Sequence, residues 1–407
     1  MAHPSSIESL TAAVIGRDTS IFSEDVRSFD GPLREAVSGK RVLVIGGGGT
    51  IGSITTELLV ELAPRALHVV DLSENYLAEL VRTIRNQSNT VDRVDLRTLP
   101  IDFGGPIMKR FLFEEDPFDV VLNFAALKHV RSEKDVFSLL QMLDTNVVRQ
   151  LRFKRWLAER GGVSRYFAVS TDKAANPTSL MGASKRLMED VLFDTAQDEG
   201  IVTTSARFAN VAFSNGSLLQ AFPVRLESRH PLAAPRDTRR YFVSRQEAGE
   251  ICMLAALCGD DQKIYFPDLN PETELRLLED VALRVLEHKG FEAVVFDDPD
   301  AARDAVANLS AEGKWPLLLT PLDTSGEKPY EEFLGRGEAE CDSSFASLKA
   351  LRHAKSALRN GAVVDQFETL LTNAADRTTK ADIVDVIASA VPNLQHIETG
   401  RSLDQRV

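Results

Sequence analysis

Residues 169–189, VSTDKAANPTSLMGASKRLME, gather several groups able to move protons. Thr171 offers a hydroxyl, Asp172 a carboxyl and Lys173 an amine in consecutive positions after an apolar strand. Lys185 follows on the next helix. An adjacent carboxyl and amine can act as general acid and general base on neighbouring atoms of one substrate, once their surroundings move each pKa toward neutrality. A polar Asx-type turn would use the same residue types. Met181 stands one helical turn before Lys185, on the same face. A thioether cannot take a proton, so any base lies elsewhere.

A second signature precedes it. Gly46, Gly49 and Gly52 form G-x-x-G-x-x-G between a strand, KRVLVI, and a helix, with Thr50 and Ile51 opening that helix. Such glycines allow a tight turn, close approach of a pyrophosphate and packing of helix on strand, and the helix N-terminus supplies N–H donors. Asp71 ends the next strand, 19 residues beyond Gly52, where a carboxylate binds the adenosine ribose hydroxyls and repels a 2′-phosphate. The cofactor expected is NAD; Asp71 could instead cap the helix begun by DLSEN. Asp102 and Phe103 end the third strand on the adenine side, and Ala125 follows the fourth.

These groups need a scaffold. Short apolar strands alternate with helices from residue 41 to about 212, as in ALHVVDLS, FDVVLNFAA and RYFAVST, which predicts βαβ units and a parallel sheet covered on both faces. The expected fold is α/β, a Rossmann-type doubly wound sheet. Residues 1–38 read as a helical preamble, 39–212 as the dinucleotide-binding domain and 213–340 as a smaller substrate lobe partly interleaved with it. Residues 341–407 read as a helical C-terminal extension, with SSFASLKALRHAKSAL taken as helix. Lys and Arg total 47 against 60 Asp and Glu, a net charge of −13. That excludes a general nucleic-acid binder and leaves any anionic ligand to local Arg, Lys and backbone N–H groups. Cys252, Cys258 and Cys341 have neither metal-ligand spacing nor a disulfide framework, which fits a reducing cytoplasm; no metal is expected. No apolar run reaches the roughly 18 residues that span a bilayer, so a soluble protein is expected.

Taken in order, GGGGTIGS, FAALKHVRSE, DTNV, VSTDKAANPTSLMGASKRLME, RFANV, NGS, RRYF and SGEKPYEEF resemble the nucleotide-sugar 4,6-dehydratases of the CapD-like polysaccharide-biosynthesis branch. These belong to the extended short-chain dehydrogenases. The resemblance covers roughly residues 40–335, and the end of the chain looks like a soluble subgroup linked to legionaminic-type sugars. It implies a UDP- or GDP-linked N-acetylglucosamine substrate and a tightly bound NAD recycled in each turnover. It also implies a homodimer or larger oligomer paired through helices at about 136–160 and 181–198.

By the same resemblance Asp172 is the acid, Lys173 the base, Thr171 a hydrogen-bond partner of O4, and Lys185 a ligand of the nicotinamide ribose; alone, Lys185 reads equally as a solvated helix lysine. Lys128 and His129 fall at the mouth, though His129 could simply cap a helix. Arg207, Asn210 and Arg240 are candidates for the substrate phosphates. Glu327 and Lys328 are lobe contacts or an ordinary exposed pair. Two departures stand out: Asp323-Thr324-Ser325 replaces an Arg-Pro that usually precedes Gly-Glu-Lys, and Ala209 replaces a Gly. A 4-epimerase or ketoreductase would need Gly46, Asp71 and Lys185 but not Asp172 and Lys173. An NAD-binding scaffold would need neither of the latter pair.

Overall fold

The computed structural model describes residues 4–130, 133, 135–193, 200–322, 326, 328–353, 362–372 and 377–396. Its centre is a nine-stranded sheet. The strands are β1 (Arg41–Ile45), β2 (Ala66–Val70), β3 (Asp95–Leu99), β4 (Val120–Asn123), β5 (Arg165–Val169), β6 (Val202–Ala206), β7 (Lys263–Pro267), β8 (Glu340–Cys341) and β9 (Leu348–Arg352), in the order β8-β9-β7-β6-β5-β4-β1-β2-β3. From β3 to β7 neighbours run parallel; β9 is antiparallel to β7, and β8 to β9. β1, β2, β4 and β7 are buried at every position, as a sheet covered on both faces requires. Strand order reverses between β1 and β4, the switch point at whose carboxyl ends open α/β sheets bind their ligands.

One expected element changes, and the domain expectations gain detail. Leu348–Arg352 is strand, not helix. The Leu, Lys and Ala of this stretch favour helix, but the open edge of β7 supplies a ladder of backbone bonds that outweighs propensity. The preamble is not separate: Leu10, Val14 and Ile15 of helix Pro4–Ile15 sit in the core of the lobe with Val281, Val285 and Trp315. The lobe has its own parallel sheet of Leu232–Pro235, Lys314–Thr320 and Glu292–Phe296. Helix Arg245–Cys258 and β7, within the 213–340 stretch expected to be partly interleaved, belong to the main sheet and its core.

The long helix expected over 136–160 is interrupted at Asp144–Val148 by a turn of π-helix. The wider turn carries the buried Asn146. Its side chain exchanges hydrogen bonds with the Leu127 backbone (2.9 Å each) and donates to Ser184 Oγ (2.9 Å), fastening the loop after β4 to the Lys185 helix.

Helices Ala362–Thr372 and Lys380–Ala390 close the apolar face of the helices that the resemblance reserves for a partner. Phe367, Ile383 and Ile387 pack with Leu139, Leu143, Val147, Met181 and Leu187. Residues 194–198 of that expected pairing surface lie outside the described residues. Among the described residues no helix is long and apolar enough to cross a membrane. Because Phe367 is 1 % exposed, Phe367→Ala is expected to cost about 3–5 kcal/mol, measured as a lowered urea midpoint at unchanged slope.

Candidate active site

Gly46 has φ +72°, and a Cβ there would lie 2.7 Å from the Ala125 nitrogen. A Cβ on Gly52 would lie 2.3 Å from the Gly46 carbonyl oxygen. The turn therefore admits no side chain at either position, and β1, the β4 loop and the helix beginning at Thr50 meet backbone to backbone. That helix starts at Gly49 without a side-chain cap, which leaves its first N–H groups for an anion. Asp71 is not a helix cap; Ser73 takes that role through Tyr76 N. The Asp71 carboxylate instead accepts from Gly48 N (2.9 Å) and Ser73 N (2.8 Å), which aims it across the turn. A Cβ on Gly48 would stand 3.0 Å from Asp71 Oδ2, so Gly48, not singled out by the spacing argument, is required for this approach. This close backbone approach, the uncapped helix start and the aimed carboxylate suit a dinucleotide. Asp102 accepts from Gly104 N (2.9 Å) and pairs with Arg149. The Phe103 ring is turned into the core against Phe153, leaving its backbone for a ligand.

Thr171, Asp172 and Lys173 follow β5. Thr171 opens the short 3-10 turn Asp172–Ala174. Its hydroxyl donates to Asp172 Oδ1 (2.9 Å), and Lys173 Nζ donates to the same oxygen (3.1 Å). Asp172 is buried, and among the described residues its Oδ2 has no hydrogen-bond partner. Burial alone would lower the Lys173 pKa, but the carboxylates of Asp172 and Glu331 outweigh it and hold the amine above its ordinary range. The shift toward neutrality expected for a base is reversed in the free protein. Glu331 and Lys328 arrive from the segment after residue 326, and Arg240 from strand Arg239–Arg240. Sequence reasoning passed over Glu331, which no spacing rule distinguishes within PYEEF.

Lys185 is buried, not a solvated helix lysine. Its amine donates to the Val169 carbonyl at the end of β5 (2.6 Å) and to Met188 Sδ (3.1 Å). Burial, only partly opposed by Glu189, lowers its pKa to about 8. Met181 points into the apolar cluster shared with the C-terminal helices, while its N–H donates to the buried Glu133 carboxylate (2.9 Å). Lys128 is exposed overall, though desolvation of its amine lowers its pKa. The His129 ring lies against Gly216 of the NGS loop, where a Cβ would come within 2.5 Å. Asn215 N of that loop donates to Thr50 Oγ1 (3.1 Å), so one loop joins the glycine turn to the mouth. The Asn210 side chain donates to the Tyr241 carbonyl (3.3 Å). Glu327 lies outside the described residues.

Arg207 is the clearest correction. It is fully buried, and its five N–H donors are all taken: by Glu189 (2.9 and 2.7 Å), Glu338 (2.5 and 2.8 Å) and the Phe333 carbonyl (2.7 Å). Nothing remains for a substrate phosphate. The network extends to Ser170, whose hydroxyl donates to Glu189 (2.6 Å).

A mostly parallel doubly wound sheet with a glycine turn at its switch point and a Thr-Asp-Lys turn after β5 defines a Rossmann-type α/β protein. The polysaccharide biosynthesis protein family matches residues 42–352, and the chain belongs to that family. It is 25% identical over 312 residues to the capsular polysaccharide biosynthesis protein CapD of Staphylococcus aureus, covering 75% of this chain and 47% of that one. The chain thus spans about half the length of that relative. It is 27% identical over 266 residues to a UDP-N-acetylglucosamine 4,6-dehydratase (inverting) of Campylobacter jejuni, covering 61% and 73%. Among solved structures, Pen from Bacillus thuringiensis superposes with a TM-score of 0.64 at 19% identity over 78% of this chain and 91% of that one. DesIV, a dTDP-glucose 4,6-dehydratase from Streptomyces venezuelae solved with NAD and TYD, gives 0.54 at 19% over 73% and 88%. These two show the shared fold.

Burial raises the Glu338 pKa, but Arg207, Arg186 and the Gly335 N–H together outweigh it and lower it to about 2 from 4.5. Its stabilisation is complete above pH 4.5 and fades as pH falls through about 2. Glu338→Gln leaves a buried guanidinium short of charge and should cost roughly 3–5 kcal/mol at pH 7. The gap from wild type in urea midpoint should narrow at pH 3. A change in KM alone, with stability intact, would return Arg207 to the substrate.

Proposed function

We propose that the protein is an NAD-dependent nucleotide-sugar 4,6-dehydratase acting on a UDP- or GDP-linked N-acetylglucosamine and yielding the 4-keto-6-deoxy sugar. The observation that carries this reading is the Thr171–Asp172–Lys173 turn, in which a hydroxyl and an amine both donate to one buried carboxylate oxygen. An epimerase or ketoreductase has no use for that pair. The glycine turn would hold the cofactor's pyrophosphate and Asp71 its adenosine ribose. NAD, when bound, supplies the hydride acceptor for C4 and the hydride donor for C6.

The chain's own residues then account for every proton. As C4 is oxidised, the O4 proton passes through Thr171 Oγ to Asp172, because the Met181 thioether cannot take it. The resulting carboxylic acid delivers that proton to the C6 hydroxyl as it leaves as water. Lys173, entering as a free amine, takes the C5 proton, which the new ketone acidifies, and a proton returns to C5 when C6 is reduced. The pair ends as it began. Since the free protein holds Lys173 charged, turnover should rise with pH as that amine loses its proton.

The test is incubation with NAD and UDP- or GDP-N-acetylglucosamine, followed by mass spectrometry for loss of one water. A deuterium placed at C4 should reappear at C6 of the same sugar, and in heavy water one deuteron should enter C5. Label lost from the sugar would make the protein a net oxidoreductase.

Side-chain replacement separates bystander from participant. Met181→Leu conserves volume in an apolar cluster and should retain activity within about tenfold, or 1.4 kcal/mol of barrier. Asp172→Asn and Lys173→Ala should each lose several orders of magnitude, with no deuteron entering C5 in the latter. Equal damage from Met181→Leu would end the view of Met181 as packing.

A further inference from the structure

The dehydratase chemistry requires Lys173 to change charge, yet nothing in the Thr-Asp-Lys turn itself decides when. The group that bears on this is Glu331. It is buried at 4 % exposure, with Oε1 lying 3.7 Å from Lys173 Nζ and 3.9 Å from Arg240 Nη2, and Oε2 lying 3.3 Å from Lys328 Nζ. The charged groups facing Lys173 are therefore Asp172 on its own turn, Glu331 and Lys328 on the segment 328–331, and Arg240 on strand Arg239–Arg240.

Buried carboxylates in proteins are ordinarily saturated with hydrogen bonds. Glu189 and Glu338 are: Arg207 and Ser170 bind the first, and Arg207, Arg186 and Gly335 N the second. Glu331 is different. Among the described residues its Oε2 has no hydrogen-bond partner, although three cations lie within 4 Å of the carboxylate. Two of those cations are tethered elsewhere: Lys328 Nζ donates to the Asn176 carbonyl (2.8 Å), and Arg240 donates to the Lys328 carbonyl (3.0 Å). Glu331 thus acts on Lys173 through its field, without locking the amine in a fixed bond.

We propose that Glu331 is a positioning residue for the Asp172–Lys173 pair: from the substrate lobe its buried carboxylate holds the Lys173 amine charged beside Asp172 until substrate fills the site. An opposite charge at this range moves an amine by about 1–3 pKa units. Removing it lowers the pKa of Lys173, and removing the competing Lys328 raises it. The kinetic consequence rests on the dehydratase reading; the electrostatic one does not.

The experiment is a titration of the intact protein carrying lysine labelled with carbon-13 at Cε, with Lys173→Arg assigning the resonance. The Lys173 midpoint should fall by about one unit or more in Glu331→Gln, lie near wild type in Glu331→Asp, and rise in Lys328→Gln. Thermal unfolding establishes that each variant is folded, and Lys328→Gln decides the matter if Glu331→Gln is not. A midpoint unmoved in every folded variant overturns the proposal. In the dehydratase assay, Glu331→Gln should move the acidic limb of kcat to lower pH while KM stays within about threefold. A raised KM with an unmoved limb would make Glu331 a substrate contact and overturn the proposal too. If the wild type releases water from neither nucleotide sugar, the dehydratase reading fails while the titration still decides the role of Glu331.

Discussion

The buried guanidinium of Arg207 is the constraint on which the site depends. It sits just beyond β6 and binds Glu189 on the Lys185 helix and Glu338 on the segment leading to β8. A charge taken out of water at this depth is tolerated only when it is paired and fully hydrogen-bonded. Its partners can therefore stand in one arrangement only. Glu189 in turn accepts from Ser170, the residue before Thr171. The Thr-Asp-Lys turn, the Lys185 helix and the lobe segment carrying Glu331 are all referred to this one ion network. Arg186 and Asp190 extend it toward His353 beside β9.

A second set of contacts clamps the same turn from outside. Asn176 donates to Glu332 (3.0 Å) and accepts from Arg336 N (2.8 Å), and Thr178 donates to the Gly326 carbonyl (3.2 Å). Gln395 N donates to the Pro177 carbonyl (3.0 Å). The residues between Lys173 and the Lys185 helix are thus gripped by the lobe on one side and by the C-terminal segment on the other. Met181 belongs to this second role. A thioether with no proton to move, it joins the apolar seam where Ile383 and Phe367 pack against the helix.

Much of this was legible in the residues. The spacing of Gly46, Gly49 and Gly52 and the position of Asp71 report backbone geometry, which depends on a few neighbouring residues. The alternation of apolar strands and helices reports a sheet covered on both faces. Both properties are local or periodic, so they survive reading without coordinates. The adjacency of Thr171, Asp172 and Lys173 is covalent, and their hydrogen bonds followed from it.

What the tertiary structure alone decided depends on which charges meet across long separations. Arg207 and Arg240 look alike in sequence; one is enclosed by two carboxylates and the other lies beside Lys173, because burial and partner are properties of the packed chain. Glu331 and Glu338 carry no local mark, being ordinary glutamates until folding removes them from water and sets them against cations. Leu348–Arg352 became strand because the edge of β7 offered backbone partners that helix propensity could not anticipate. Composition and spacing determined the fold and where a cofactor and acid–base pair could lie. Packing determined which charges are left to act, since the field at a buried group is set by neighbours remote in the chain.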